Sequence, residues 1–140
     1  MSGLIQLVFY LMDVCVMARA CINALWKGME TANSTLAASC FDASMTLRTV
    51  NSTGGLLQDS VSELLKTVDS RPAGSLREVL LEPVSVVVSN DQLLGTVFGR
   101  YQFFLNGVLD HCGVDAFQFY WQNRATWLIL SITDTRVACN

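Results

Sequence analysis

Charge is what this sequence has least of. Only 15% of its 140 residues are Asp, Glu, Lys or Arg, where an average soluble domain carries about 25%. The nine basic residues are scattered and the formal net charge is −3. Nucleic acid, which selects clustered Lys and Arg, is therefore excluded as a partner. There is one histidine, His111, beside Cys112. Adjacent residues on a helix do not face each other, so no thiolate–imidazole pair follows. No CxxC pair is present, and no Gly-rich phosphate loop follows a strand. The acids are scattered too, with no pair placed as general acid and base. Neither enzymatic activity nor a metal or cofactor is expected.

Uninterrupted apolar runs are also missing. Residues 3–26 are rich in Leu, Val, Met and Cys, but Asp13 and Arg19 interrupt them and no basic segment precedes them. A spanning helix needs about 20 predominantly apolar residues, and a signal peptide needs a basic start. Gln6, Asp13 and Lys27 fall near one helix face, so an amphipathic core helix is expected here. The last apolar run, Ala125 to Ile132, is eight residues long. No stable membrane span or C-terminal anchor is expected.

Five cysteines stand at positions 15, 21, 40, 112 and 139. Their odd number and apolar setting favour reduced, buried thiols. Two Asn-x-Ser/Thr sequons, Asn33-Ser34-Thr35 and Asn51-Ser52-Thr53, matter only in a secreted glycoprotein, which would also need paired cysteines.

What the chain does have is helical periodicity. Alternating steps of three and four from Ile5 to Val68 land almost throughout on apolar residues, broken at Arg19, Asn33 and Gly54. That favours a 3.6-residue period over alternation. Gly28, Asn33-Ser34 and Gly54-Gly55 separate helices, and Asp69 to Gly74 is a loop. Ser75-Leu76-Arg77-Glu78 fits a capping box. Pro83 ends that helix, and Val84 to Val88 is β-prone but short and alone. Ser89-Asn90-Asp91 caps a helix from about Gln92 to Asp110, Gly113 breaks it, and Asp115 caps a last helix reaching Ile132. The expectation is a single all-α domain over residues 1–140, with about six or seven helices.

Within the most apolar stretch stands Arg100, whose i±3 and i±4 neighbours are Thr96, Val97, Phe103 and Phe104. A buried cation needs a partner, and no acid lies one turn away. The run Gly95-Thr96-Val97-Phe98-Gly99-Arg100, followed by Phe103-Phe104 and Gly107, resembles the first homology region of the Bcl-2 family of apoptosis regulators. There an aromatic-Gly-Arg triplet opens the central hydrophobic helix. Leu47-Arg48 with Val50 resembles the start of the family's BH3-type helix. Gly113-Val114-Asp115-Ala116-Phe117 echoes part of its second homology region, with Trp127-Leu128 as the other candidate.

The resemblance implies a Bcl-2-like helical bundle around a central hydrophobic helix, as in short viral homologues of the iridovirus type. It implies an inhibitor of host apoptosis that sequesters pro-apoptotic BH3-only proteins by laying their amphipathic helix in an apolar groove. Arg100 would pair with the ligand's aspartate and Gly99 would admit its backbone. Val50, Leu57, Val61, Leu64 and Leu65 would form one wall; Val87, Leu93, Val97, Phe98 and Phe104 would form the other. Phe98 stands for the usual Trp, Leu94 for Asp and Val97 for Asn, which implies a narrow ligand set such as Bim. An empty groove would leave an apolar patch able to form a homodimer. The implied location is the host cytoplasm, with peripheral contact at mitochondria. The alternative is a structural helical subunit of a membrane complex, with Gly95 and Gly99 as its helix–helix seam.

Overall fold

The computed structural model describes the backbone of residues 3–140 and side chains from Val14 onward. Gln6 and Asp13, assigned above to a polar helix face, lie outside the described side chains. The chain is not an all-α bundle. It forms a long helix α1 (Gly3–Glu30), a single turn α2 (Ser34–Ala37), strands β1 (Phe41–Asn51) and β2 (Leu56–Asp59), helix α3 (Val61–Ser70), and four long strands. These are β3 (Leu76–Val88), β4 (Leu94–Leu105), β5 (Val108–Gln122) and β6 (Thr126–Arg136). All six strands join one sheet in the order β2-β1-β6-β5-β4-β3. β1 and β6 are parallel and every other pair is antiparallel.

The strands follow side-chain alternation. On β5, Asp115, Phe117 and Phe119 are buried while Val114, Ala116 and Gln118 between them are partly accessible. On β4, Gly95, Val97, Gly99 and Tyr101 turn inward, and Leu94, Phe98 and Arg100 outward. The Phe98-Gly99-Arg100 triplet thus alternates out, in, out along a strand. On β6 a register shift opposite Gln118 and Phe119 lets both Ile129 and Ile132 be buried.

Turn chemistry fixes the meander. Asn106 and Gly107 both adopt positive φ (51° and 80°) between β4 and β5, as a two-residue type I′ hairpin requires. Asn123 and Arg124 do the same between β5 and β6. Ser89-Asn90-Asp91 is a turn, not a helix cap: Asp91 Oδ1 accepts from Ser89 Oγ and from Leu93 N. Ser60 caps α3, its side chain accepting from Glu63 N.

α1 is the amphipathic helix its periodicity predicts. Val14, Ala18, Cys21, Ile22, Leu25 and Met29 form its buried stripe. That stripe joins Val97, Phe117, Phe119, Trp127, Ile129 and Ile132 of the sheet in one core, and Trp26 meets the Phe117 ring edge-on at 6.5 Å. Among the described residues no helix is long and apolar enough to cross a membrane; Gly95 and Gly99 lie on β4, so no helix–helix seam forms there.

The cysteines correct another expectation. Cys21 bonds to Cys40 and Cys112 to Cys139, leaving Cys15 free. The first pair ties α1 to the entry of β1. The second ties β5 to the C-terminal segment, which the Cys112–Val137 bridge already holds alongside. Closing loops of this length stabilises a fold by about 3 kcal/mol each in the chain-entropy account.

Gly113 was expected to break a helix; it lies inside β5, where the chain from β6 passes very close. A methyl group there would sit 1.9 Å from Thr135 O. Gly113→Ala should therefore lower stability by about 3 kcal/mol, the upper end for overpacking a filled site. Urea unfolding measures this; an unchanged midpoint would show that β5 and β6 separate freely at this point.

Candidate functional site

α1 covers only part of the curved sheet. Where it ends, a cavity of about 580 Å³ remains between α1, α3 and the inner face of the sheet. This is within the roughly 300–1,000 Å³ range of small-molecule sites. Its apolar walls include Leu25, Trp26 and Met29 of α1, Leu64 of α3, and Phe103, Phe117 and Ile132 of the sheet. Set into these walls are four acids, Asp110 beside His111 and the group of Glu78, Asp115 and Asp134 from three strands.

Strand register brings them together. Asp115 on β5 stands directly opposite Asp134 on β6, an arrangement that like charges disfavour. Asp134 in turn stands opposite Thr49 on β1. The buried Thr49 hydroxyl lies within hydrogen-bond reach of both Asp134 Oδ1 and Asp59 Oδ2, and its one proton serves one of them at a time. Arg136 Nε reaches Asp134 Oδ2 at 3.4 Å from a half-exposed position.

Glu78 and Asp115 form the tight pair. Asp115 is 3% exposed, and its Oδ2 has no N–H or hydroxyl donor. The Glu78 carboxyl is its hydrogen-bonding neighbour, and two carboxyls can bond only when one carries the proton. Burial, then the negative charges of Glu78 and Asp134, hold Asp115 well above the ordinary aspartate range. Glu78 is more accessible because it faces the cavity, and it also receives a hydrogen bond from Trp26. Burial and the charge of Asp134 nonetheless push it up to about 7. The more deeply buried Asp115 therefore keeps its proton and donates to Glu78, whose own proton comes and goes near neutrality.

Tyr101 is the fourth polar group of this region. It is 1% exposed, and its hydroxyl donates to Thr135 O at 2.6 Å with Asp134 Oδ2 at 3.3 Å. Burial and then the three surrounding acids keep it a neutral phenol. His111 stacks on Phe103 at 4.8 Å and contacts Asp110 through Nδ1 at 2.8 Å, which places it at the cavity wall rather than beside Cys112. Among the described residues no group of three His, Cys, Asp or Glu is placed to hold a metal ion. Chemically, the arrangement offers an open-sided, partly apolar cavity with a neutral acid, an acid that titrates near neutrality, and an aromatic wall.

The residues expected to bind a ligand helix do not converge. Arg100 is exposed on the outer side of β4, where water satisfies its charge and no buried partner is needed. Phe98 and Val87, 52% and 66% exposed, share that outer surface. Val97 and Gly99 face inward and are buried, Leu93 lies in the β3–β4 turn, and Phe104 underlies the Arg77 guanidinium at 5.3 Å. Val50 and Leu57 are on the β1–β2 edge, and Val61, Leu64 and Leu65 on α3; of the whole set only Leu64 lines this cavity. A groove between helices needs helices on both sides, and here β3 and β4 stand where they were expected.

Glu78 and Asp115, expected as helix-capping residues, are strand residues that the fold gathers at the cavity wall. Ser75, the supposed partner of Glu78, is buried with its hydroxyl unbonded. The available signal was an acid at an inward position of an alternating strand, Asp115 ahead of Phe117 and Phe119.

No family model and no curated protein matches this sequence. Solved structures do match in fold. An NTF2-like protein with a cystatin-like fold from Novosphingobium aromaticivorans superposes with a TM-score of 0.71 at 10% identity, covering 97% of this chain and 90% of that one. An NTF2-like protein of unknown function from Silicibacter pomeroyi gives 0.65 at 12% identity, over 89% and 97%. Another from Shewanella baltica gives 0.61 at 13% identity, over 99% and 100%. At these identities the likeness defines the fold class alone, an NTF2-like α+β fold. It overturns the Bcl-2 resemblance, and with it the apoptotic function and the BH3-only, Bim-like partners that the resemblance implied.

Because Glu78 and Asp115 both titrate above ordinary carboxylates, the folded chain holds protons that the unfolded chain releases. Stability is therefore greatest below the unfolded value of about 4.5 and is lost as pH rises through about 7. Asp69, held low by Ser34, and Asp91, held low by Ser89, act in the opposite sense at more acid pH. The melting temperature should fall between about pH 5 and pH 8, and Glu78→Gln should flatten much of that slope. A slope unchanged in the variant would remove Glu78 from the pair.

Proposed function

We propose that this chain binds a small, largely apolar organic molecule in the cavity and exchanges a proton with it through the Glu78–Asp115 pair. The observation that carries the reading is the pair itself: two interacting carboxyls on the wall of a 580 Å³ space where apolar side chains stand beside Arg71, Asp110, His111, Asp134 and Arg136. Arg136 offsets only part of the cost of burying these acids, and structural cores seldom retain ionisable groups so placed. Perturbed acids in a concave apolar pocket are the usual mark of acid–base chemistry.

In this reading Glu78 is the group that takes or gives the proton, because it faces the cavity and titrates near neutrality. Asp115 is a positioning residue that donates to Glu78 and steadies its charge. Trp26, Phe103 and Phe117 supply the apolar contact. This departs from the expectation of a non-catalytic protein, which rested on acids scattered along the sequence; the strands gather three of them.

The test joins binding to proton transfer. A panel of small cyclic ketones is titrated against Trp fluorescence. Exchange of their α-protons for deuterium is then followed by NMR in D₂O. Binding at sub-millimolar Kd is expected, with exchange rising to a plateau above about pH 7 as Glu78 ionises. Glu78→Gln should lower exchange by roughly 10²-fold or more while changing Kd only a few-fold, the usual scale for a general base. No binding across the panel, or exchange indifferent to Glu78, would overturn the reading.

A further inference from the structure

The turn from β1 to β2 carries one of the two sequons, Asn51-Ser52-Thr53. All three residues are exposed, and the turn closes through Gly54 N to Asn51 O at 2.9 Å and Asn51 N to Gly55 O at 2.9 Å. Asn51 Oδ1 accepts from Thr53 N, from the Thr53 hydroxyl at 2.8 Å and from Gly55 N. These bonds all use the oxygen, and none uses the amide nitrogen Nδ2. The two residues that define the acceptor are thus already in contact at the tip of an open turn.

The other sequon sits differently. Asn33 caps α2, accepting from Leu36 N at 3.0 Å, and Thr35 lies inside that helical turn. Ser34 between them is clamped by both its backbone N–H and its hydroxyl to the Asp69 carboxylate, at 3.0 and 2.6 Å. Its backbone is committed to the α2–α3 contact and cannot extend toward another protein without breaking these bonds.

We propose that Asn51 is an N-glycosylation acceptor and that the chain matures in an oxidising, glycosylating compartment. The second half of the proposal rests on the cysteines. Four of the five are paired, across sequence separations of 19 and 27, and such structural disulfides belong to oxidising compartments. A sequon alone is common by chance; a sequon on an open turn in a disulfide-bonded chain satisfies both conditions a glycoprotein needs. The step joins Asn51 Nδ2 to the anomeric carbon of a lipid-linked oligosaccharide diphosphate. The anomeric C–O bond breaks, the lipid diphosphate leaves, and Nδ2 gives up one proton. No oxidant or reductant takes part. This compartment replaces the host cytoplasm implied by the earlier resemblance.

The experiment expresses the full chain in a eukaryotic secretory host and reads intact mass and thiol content before and after endoglycosidase. One glycan is expected, with only Cys15 titrating as a free thiol. Asn51→Gln should abolish the glycan, and because that change also removes the turn bonds, Thr53→Val provides the second variant: it keeps Asn51 and should abolish the glycan as well. Asn33→Gln should leave it in place. Disulfide-bonded protein recovered without a glycan, or with one on Asn33 alone, would overturn the proposal.

Discussion

Asp115 and Asp134 face each other on neighbouring strands with Glu78 within hydrogen-bond reach, and three carboxyls so placed cannot all be ionised. The register that sets this contact is the same register that builds the sheet: shifting β5 by one residue would turn Asp115 outward and bring Phe117 and Phe119 out with it. The carboxyl cluster and the hydrophobic core are thus two results of one strand alignment. Retaining Asp115 inward costs stability that an apolar residue would not, so its place on the cavity wall is the feature that most needs a chemical explanation.

The cavity has an equally simple origin. One long helix covers a broad curved sheet, and its buried stripe from Val14 to Met29 packs on only part of the inner face. α3 closes another side through Leu64 and its neighbours. The remaining space is lined by β4, β5 and β6, where Phe103, Phe117 and Ile132 meet the acids. The disulfides tie down two of the elements that border it, α1 and the C-terminal segment beside β5.

Parts of this were legible in the sequence. The amphipathic stripe of α1 is there at helical spacing, and the loop expected at Asp69 to Gly74 begins at Arg71, since Asp69 and Ser70 end α3. The strands were not recognised, for a physical reason: β4, β5 and β6 carry apolar residues on both faces, and an apolar run of that kind also satisfies a helical template. Phe98-Gly99-Arg100 shows the ambiguity well. On a helix the arginine would be buried and in want of a partner; on a strand it simply faces water. Two local signals would have decided the matter. Asn106-Gly107 between apolar segments is a hairpin turn, and Ser60 to Glu63 is a better capping pair than Ser75 to Glu78. The acid pair was illegible because Glu78 and Asp115 lie on strands that are not even adjacent, β3 and β5, and only the inward face of the sheet relates them. Disulfide pairing was hidden likewise, since it depends on β5 lying alongside the C-terminal segment.

The account stands or falls on the shared proton. Site-resolved carboxyl titration by ¹³C NMR measures it directly. Glu78 should titrate at about 7, Asp115 should titrate well above the ordinary aspartate range, and Asp115→Asn should alter the Glu78 titration. Ordinary carboxylate behaviour in both groups, each ionising at about pH 4 without regard to the other, would contradict it.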